Sequence, residues 1–116
     1  MPAQKLAYLE LPASSTAAMK AFYGGLFGWT FHDWGPDYTA FSESGVDGGF
    51  NAGDDHRPKA PLAVIETEDI NSMVERVQQA GGTITVPTFA FPGGRRFHFT
   101  DPSGNELAVM QLDKTN

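Results

Sequence analysis

The chain opens with a regular alternation of apolar and polar positions and then changes to helical spacing. The segment KLAYLEL (5–11) alternates with a period of two, which predicts a half-buried strand. Apolar residues then recur at helical spacing over 16–27, after Ser14 or Ser15 as an N-cap and before Gly28 as a C-cap. We expect the buried stripe of this helix to be Ala18, Phe22 and Leu26, flanked by Met19, Tyr23 and Phe27.

Three short strand patterns follow the helix, and the whole order then repeats. They are WTFHDW (29–34), YTAFSE (38–43) and VDGGFNAG (46–53). The polar, proline-bearing segment 54–61 is typical of a linker. The second half contains a strand over 62–67, a helix over 69–80, a Gly81-Gly82 stop and strands over 83–89, 93–100 and 105–112. The apolar stripe of the second helix is Ile70, Met73, Val74, Val77 and Ala80.

A strand, a helix, a glycine stop and three strands thus occur twice, about 54 residues apart (Gly28 against Gly82). One helix covers only one face of a small sheet, so the other face needs a partner or must enclose a cavity. The pattern predicts an α+β fold of two βαβββ modules that form facing, curved mixed sheets with a groove between them. We expect a single domain over 1–116, with module one at about 4–53 and module two at about 62–112.

Composition limits the possible classes of protein. The 116 residues are enough for one domain with a core, and 41% of them are apolar. The chain has no cysteine, which excludes disulfides, thiolate metal sites and a cysteine nucleophile. No segment is apolar enough for a signal peptide or a membrane span, so we expect a cytoplasmic protein.

The charge is acidic, with a net value of −6 from eight Lys+Arg against fourteen Asp+Glu. Nucleic-acid binding needs clustered cations, and the only basic pair is Arg95-Arg96, so we do not expect a nucleic-acid partner. An acidic surface keeps a protein soluble, and it also favours a cationic ligand through its field.

Three segments together resemble the vicinal oxygen chelate superfamily, the group of glyoxalase I, bleomycin-resistance proteins and extradiol dioxygenases. They are FYGGLFGW (22–29), AGG (80–82) and GGRRFHFTDPSGNELAVMQ (93–111). The resemblance covers about residues 4–112 and is nearest to small single-domain glyoxalase-like members. It implies paired βαβββ modules, often a homodimer, and chemistry on the inner faces of the sheets.

In metal-dependent members of that superfamily, His and Glu hold a divalent ion at four equivalent strand positions. The resemblance places these positions at Tyr8, near Gly49 or Phe50, at Ala63 and at Ala108. Divalent ions need several imidazole nitrogens or carboxylate oxygens, which these residues do not supply. We therefore expect no bound metal and no other cofactor.

The remaining candidates are residues that can bind an organic ligand in the groove. Glu10 shares a face with Tyr8 and can bind a cation or act as a general base; the alternative is a surface residue or a helix-cap partner. Glu106 shares a face with Ala108 and either reaches into the groove near the turn or is solvated there. Arg95 can meet an anionic group or pair with surface acids. The predicted ligand-binding residues are Tyr8, Glu10, Trp29, Phe41, Phe50, Arg95, Phe97, Glu106 and Ala108, of which the aromatic ones would form an apolar pocket.

The three histidines have different expected roles. Counting across the turn 101–104 pairs Phe97 with Ala108, which places His98 on the helix-packed face unless a bulge reverses the register. We expect His32 to be exposed or hydrogen-bonded, and His56 to be solvated in the linker. The aromatic segment 89–92 is predicted to be a loop that acts as a lid or packs in a dimer interface.

Three functions are compatible with these features. The leading hypothesis is a metal-free protein that binds a small organic molecule in the inter-sheet groove without catalysis. The second is a metal-dependent lyase, isomerase or dioxygenase with a displaced ligand set, such as Glu10, Glu106 and His98. The third is a dimeric scaffold or regulator without a ligand.

Overall fold

A computed structural model describes residues 3–55 and 57–114, which form two compact units. The N-terminal unit is Tyr8–Leu62, and the C-terminal unit begins at Ala63. The first residues of β1, Lys5–Ala7, group with the C-terminal unit, and each strand is described below with the unit that holds most of it. Each unit is built from a strand, a helix and three further strands. The predicted α+β class and the two βαβββ modules are therefore confirmed. The single domain and the linker at 54–61 stay predictions.

The N-terminal unit packs one helix on four strands of a mixed sheet. Its elements in chain order are β1 (Lys5–Pro12), α1 (Thr16–Phe27), β2 (Thr30–Asp33), β3 (Tyr38–Ser42) and β4 (Gly48–Asn51). The strand order is β2-β3-β4-β1, with β1 parallel to β4 and the other pairs antiparallel. Its core is Ala13, Phe41 and Phe50, against which Met19 and Tyr23 of the helix pack.

The ends of α1 agree with the sequence, but its buried side does not. Ser15 accepts a hydrogen bond from the N–H of Ala18, and Gly28 ends the helix at φ 78°. The predicted buried stripe is wrong, because Phe22 is 56% and Leu26 62% exposed. The flanking residues contact the sheet instead, since the Tyr23 ring stacks on Trp29 at 4.9 Å and lies 5.1 Å from Phe50. Ring stacking with the sheet thus decides the rotation of this helix.

The C-terminal unit repeats the arrangement and follows the predicted helix stripe. Its elements are β5 (Leu62–Glu66), α2 (Ile70–Gln79), β6 (Thr83–Phe91), β7 (Gly94–Thr100) and β8 (Glu106–Leu112). The strand order is β5-β8-β7-β6, with β5 parallel to β8. Asp69 caps α2 by accepting from the N–H of Ser72. The core is Ile70, Phe97 and Val109, with Met73, Val74 and Val77 of α2 packed against it.

The register of the β7–β8 hairpin differs by one residue from the sequence prediction. His98 lies opposite Ala108, and Phe97 lies opposite Val109, so the predicted pairing of Phe97 with Ala108 is wrong. The cause is Asn105, which belongs to the turn rather than to β8. Its backbone and side-chain N–H groups both donate to the carboxylate of Asp101.

The hairpin therefore has a three-residue loop between Asp101 and Asn105, with Gly104 at φ 88° in the left-handed position that such loops require. One residue more in the turn reverses the faces of β7. Phe97 consequently packs in the core under α2, and His98 lies on the opposite face.

None of the helices in the described part of the chain is long and apolar enough to cross a membrane.

The orientation of α1 predicts unequal effects for two adjacent aromatic residues. Tyr23→Ala should lower the free energy of unfolding by about 2–4 kcal/mol, because it removes the ring that packs on Trp29 and Phe50. Phe22→Ala should cost about 1 kcal/mol or less, because most of that side chain is already exposed. Urea unfolding followed by circular dichroism measures both values. Equal losses would contradict the placement of this helix.

Candidate functional site

The N-terminal unit carries a polar cluster on the face of its sheet that points away from α1. Tyr8 and Glu10 alternate along β1, and Tyr38 and Asn51 lie opposite each other on β3 and β4. The hydroxyl groups of Tyr8 and Tyr38 are 2.5 Å apart. The side-chain amide of Asn51 donates to Oε2 of Glu10 at 3.4 Å. We call these four residues the phenol–carboxylate cluster.

The electrostatics of this cluster are dominated by a buried carboxylate. Glu10 is only 2% exposed, and a carboxylate at such depth requires hydrogen-bond donors. Burial, together with the negative charge of Glu10 and the neighbouring Tyr8, raises the pKa of Tyr38 far above its ordinary value. Tyr38 therefore keeps its proton and stays a hydrogen-bond donor.

Gly49 explains how two phenol groups fit on this face. Gly49 belongs to β4, where it lies opposite Glu10 of the parallel strand β1 and opposite Ala40 of the antiparallel strand β3. A Cβ atom at this position would collide with the hydroxyl groups of both Tyr8 and Tyr38. The absence of a side chain at Gly49 thus provides the space in which the two hydroxyl groups meet.

The C-terminal unit carries a second cluster, on the face of its sheet that points away from α2. Arg96 and His98 alternate along β7, and both are buried, with exposed fractions of 7% and 4%. The guanidinium carbon of Arg96 lies 5.3 Å from the centroid of the Phe89 ring, and the His98 ring lies 5.7 Å from the same ring. Nδ1 of His98 is 3.7 Å from Oε2 of Glu106. We call Phe89, Arg96, His98 and Glu106 the basic–aromatic cluster.

Two local features hold this cluster in place. The Thr85 hydroxyl donates to Oε2 of Glu106 at 2.9 Å and so fixes the carboxylate beside the imidazole. In the β6–β7 ladder, Val86 pairs with His98 and Phe89 pairs with Arg96, so three steps on β6 match two steps on β7. The bulge lies at residues 87–88, where a proline has no N–H for the ladder. Without it, Phe89 would point to the other face.

The structure separates the predicted ligand-binding residues into two groups. Tyr8, Glu10, Glu106 and Ala108 lie on the sheet faces away from the helices. The other aromatic rings belong to the helix-packed cores, where the sequence analysis did not place them. These rings are Trp29, Phe41, Phe50 and Phe97. Their position supports a role in packing rather than contact with a ligand.

Arg95 also lies on the helix side of its sheet. Its Nη2 atom donates to Oε1 of Gln111 at 3.4 Å, and that oxygen accepts from the N–H of Ile70 at the start of α2. The side chain that faces away from α2 is its neighbour Arg96. The sequence prediction chose Arg95 because the same one-residue error in the hairpin register applied to it.

The segment from Phe89 to Phe91 is the end of β6, so its assignment to a loop is wrong. His32 is exposed, as expected, and lies edge-on to Trp34 at 4.7 Å. His56 lies outside the described residues.

Sequence reasoning did not identify Tyr38, Asn51 and Arg96 as site residues. Tyr38 and Asn51 begin and end their strands, and only the pairing of β3 with β4 brings them together. The glycine pair Gly48-Gly49 inside a strand pattern was the available signal for a close approach on that sheet. Arg96 was visible in the basic pair, but its face depends on the turn at Asp101.

The residues present do not fit the divalent ion that metal-dependent members of such a fold hold. Tyr8, Gly49 and Ala108 offer one phenol group among them, and Ala63 shares the helix side with Ile65. Its neighbours on the other face, Leu62 and Val64, carry no donor atoms either. Within residues 3–55 and 57–114, no three His, Asp or Glu side chains are grouped to hold a metal ion, and that range includes Glu10, Glu106 and His98.

Comparison with known proteins agrees with this architecture. The model of the Glyoxalase/Bleomycin resistance protein/Dioxygenase superfamily matches residues 5–109, and the chain belongs to that superfamily. The predicted resemblance is thereby confirmed.

Individual relatives agree with this assignment. The chain is 33% identical to the anthracycline biosynthesis protein DauV of a Streptomyces species, across 90% of this chain and 46% of that protein. It thus spans about half the length of the curated relatives that it matches.

Solved structures show the same fold at low sequence identity. A superfamily member from Vibrio splendidus superposes with a TM-score of 0.69 and 15% identity, across 94% of this chain and 99% of that one. The NAD-dependent benzaldehyde dehydrogenase structure from Legionella pneumophila superposes with a TM-score of 0.76 and 14% identity, across 91% and 98% of the two chains.

The raised pKa of Tyr38 predicts a specific dependence of stability on pH. A phenol whose pKa is higher in the folded state stabilises the fold below its unfolded pKa of 10.0, and this contribution is lost as the pH rises further. Above about pH 10, the free energy of unfolding should fall more steeply in the native protein than in Tyr38→Phe, by up to about 1.4 kcal/mol per pH unit. Urea unfolding between pH 8 and pH 11 measures both slopes. Parallel slopes would contradict the burial of Tyr38 beside Glu10.

Proposed function

We propose that this protein binds a small organic molecule without a metal ion, and that the phenol–carboxylate cluster is its binding site. The observation that carries the proposal is that the hydroxyl groups of Tyr8 and Tyr38 meet on the same sheet face as the buried carboxylate of Glu10, which accepts a hydrogen bond from Asn51. Buried, converging polar groups on a sheet face not covered by its own helix are the usual means of orienting a small ligand.

The donors and acceptors of the phenol–carboxylate cluster indicate which ligand group it recognises. Either phenol hydroxyl can donate in the short contact between Tyr8 and Tyr38, whereas the carboxylate of Glu10 only accepts. A phenol oxygen that donates its proton still accepts hydrogen bonds through its lone pairs. The cluster therefore favours a ligand with a hydrogen-bond donor, either an amine or a hydroxyl group.

Charge favours the amine. Glu10 contributes a carboxylate to the cluster, and the whole protein has a net charge of −6. Both attract a cation, and the attraction is strongest where burial lowers the local dielectric. The name of the Streptomyces relative connects that protein with the biosynthesis of anthracyclines, which supports an organic ligand.

Benzylamine provides a simple probe of this site. We expect saturable binding, detected by calorimetry and by shifts of the Tyr8 and Tyr38 ring resonances in NMR spectra. Tyr8→Phe should weaken it about tenfold, since a hydrogen bond to a charged group contributes about 1.5–3 kcal/mol.

Tyr23→Phe is the matched control, because it removes the same hydroxyl group from a ring of α1 that packs against the core on the other face of the sheet. It should leave the affinity for benzylamine unchanged. If benzylamine does not bind, or if both variants lose affinity equally, the phenol–carboxylate cluster is not the binding site.

The remaining expectations from the family resemblance belong to the same proposal. We infer a homodimer in the cytoplasm, without a nucleic-acid or membrane partner. Light scattering measures the mass of the protein in solution. A monomeric mass at micromolar concentration would contradict the inferred homodimer and would not affect the proposed binding site.

A further inference from the structure

We propose that the basic–aromatic cluster of the C-terminal unit is a second binding site, which takes a planar organic carboxylate. Its anion-binding residue is Arg96, and the Phe89 ring is the surface on which the planar part of the ligand stacks. This site lies on a different unit from the phenol–carboxylate cluster and recognises the opposite charge, so either site can fail without the other.

The first argument is the burial of basic groups in an acidic protein. Of the residues on β7, Arg96 and His98 both point away from α2 and are at least nine-tenths buried. Arginine is rarely buried at this depth without a specific role, because removing a guanidinium group from water is costly. The same low dielectric strengthens the attraction of such a group for a carboxylate.

The second argument is the way in which the guanidinium group is held. It lies 5.3 Å from the centroid of the Phe89 ring and 6.0 Å from that of Phe91. At these distances the rings attract the guanidinium group through cation–π interactions, and the N–H bonds of that group lie in its own plane. A planar N–H fork matches the two oxygens of a carboxylate, which a lysine ammonium group cannot do.

The third argument is that a β-bulge in β6 places the Phe89 ring beside Arg96. The bulge at residues 87–88 moves Phe89 from the face of Arg95 to the face of Arg96. Bulges re-aim side chains next to functional sites and interrupt the ladder. Glu106, held by Thr85, fixes the Nδ1 edge of His98, so the second basic ring also has a defined orientation beside Phe89.

Benzoate is a suitable probe, because it joins a carboxylate to one aromatic ring. We expect saturable binding, with shifts of the backbone resonances of residues 96–98 in NMR titrations. Acetate, which has the carboxylate alone, should bind more weakly, and benzyl alcohol should not shift these resonances. No saturable binding of benzoate up to about 20 mM would overturn the proposal.

Two adjacent arginines supply the decisive comparison. Arg96→Met should weaken benzoate at least about tenfold, since it removes the charged hydrogen bonds. Arg95→Met makes the same chemical change on the helix side of the strand and should alter the affinity less than about twofold. Equal effects of the two variants would show general electrostatic attraction and would contradict the site.

Two further variants keep the test decisive if Arg96→Met does not fold. Arg96→Lys keeps the charge but not the planar fork, and it should weaken benzoate several-fold. Phe89→Leu should reduce the preference for benzoate over acetate. Unchanged affinities in both would overturn the proposal. Absence of benzylamine binding to the native protein, with benzoate binding intact, would overturn only the phenol–carboxylate cluster as a binding site.

Discussion

In each unit, the helix covers one face of that unit's four strands, and two-residue alternation along the strands decides which side chains reach the other face. The helix-covered faces contain rings and aliphatic groups, so they are cores. The opposite faces contain phenol, carboxylate, guanidinium and imidazole groups. All of the chemistry that we assign to the molecule depends on this division, and a shift of one residue in a strand would exchange the two sets.

Two small structural features fix the alternation in the C-terminal unit. The carboxylate of Asp101 holds Asn105 inside the hairpin turn, which sends His98 and Arg96 to the face away from α2. The bulge in β6 then brings Phe89 to the same face. In the N-terminal unit, Gly49 leaves room for the phenol–carboxylate cluster. A Cβ atom at this position would collide with the hydroxyl groups of Tyr8 and Tyr38 where they meet.

Much of the fold was predictable because it depends on local patterns. Periodicity located both helices, the serine and glycine caps located the ends of α1, and the repeated order of elements indicated two βαβββ modules. The faces of the strands were less predictable, because they depend on single residues in turns and bulges. The sequence allows Asn105 to be a strand residue or a turn residue, and this choice decides whether Phe97 or His98 faces the core under α2. The stripe of α1 was misassigned because several apolar residues surround that helix, and ring contacts with Trp29 and Phe50 decided its rotation.

The central claim is that these sheet faces bind organic groups through hydrogen bonds and charge, and not through a coordinated metal ion. The most direct test is the metal content of the protein after equilibration with Mn²⁺, Ni²⁺ and Zn²⁺ and removal of free ions, measured by inductively coupled plasma mass spectrometry. Our account predicts far less than one ion per chain for each metal. One tightly held ion per chain, lost when Glu10 or Glu106 is replaced by alanine, would contradict it.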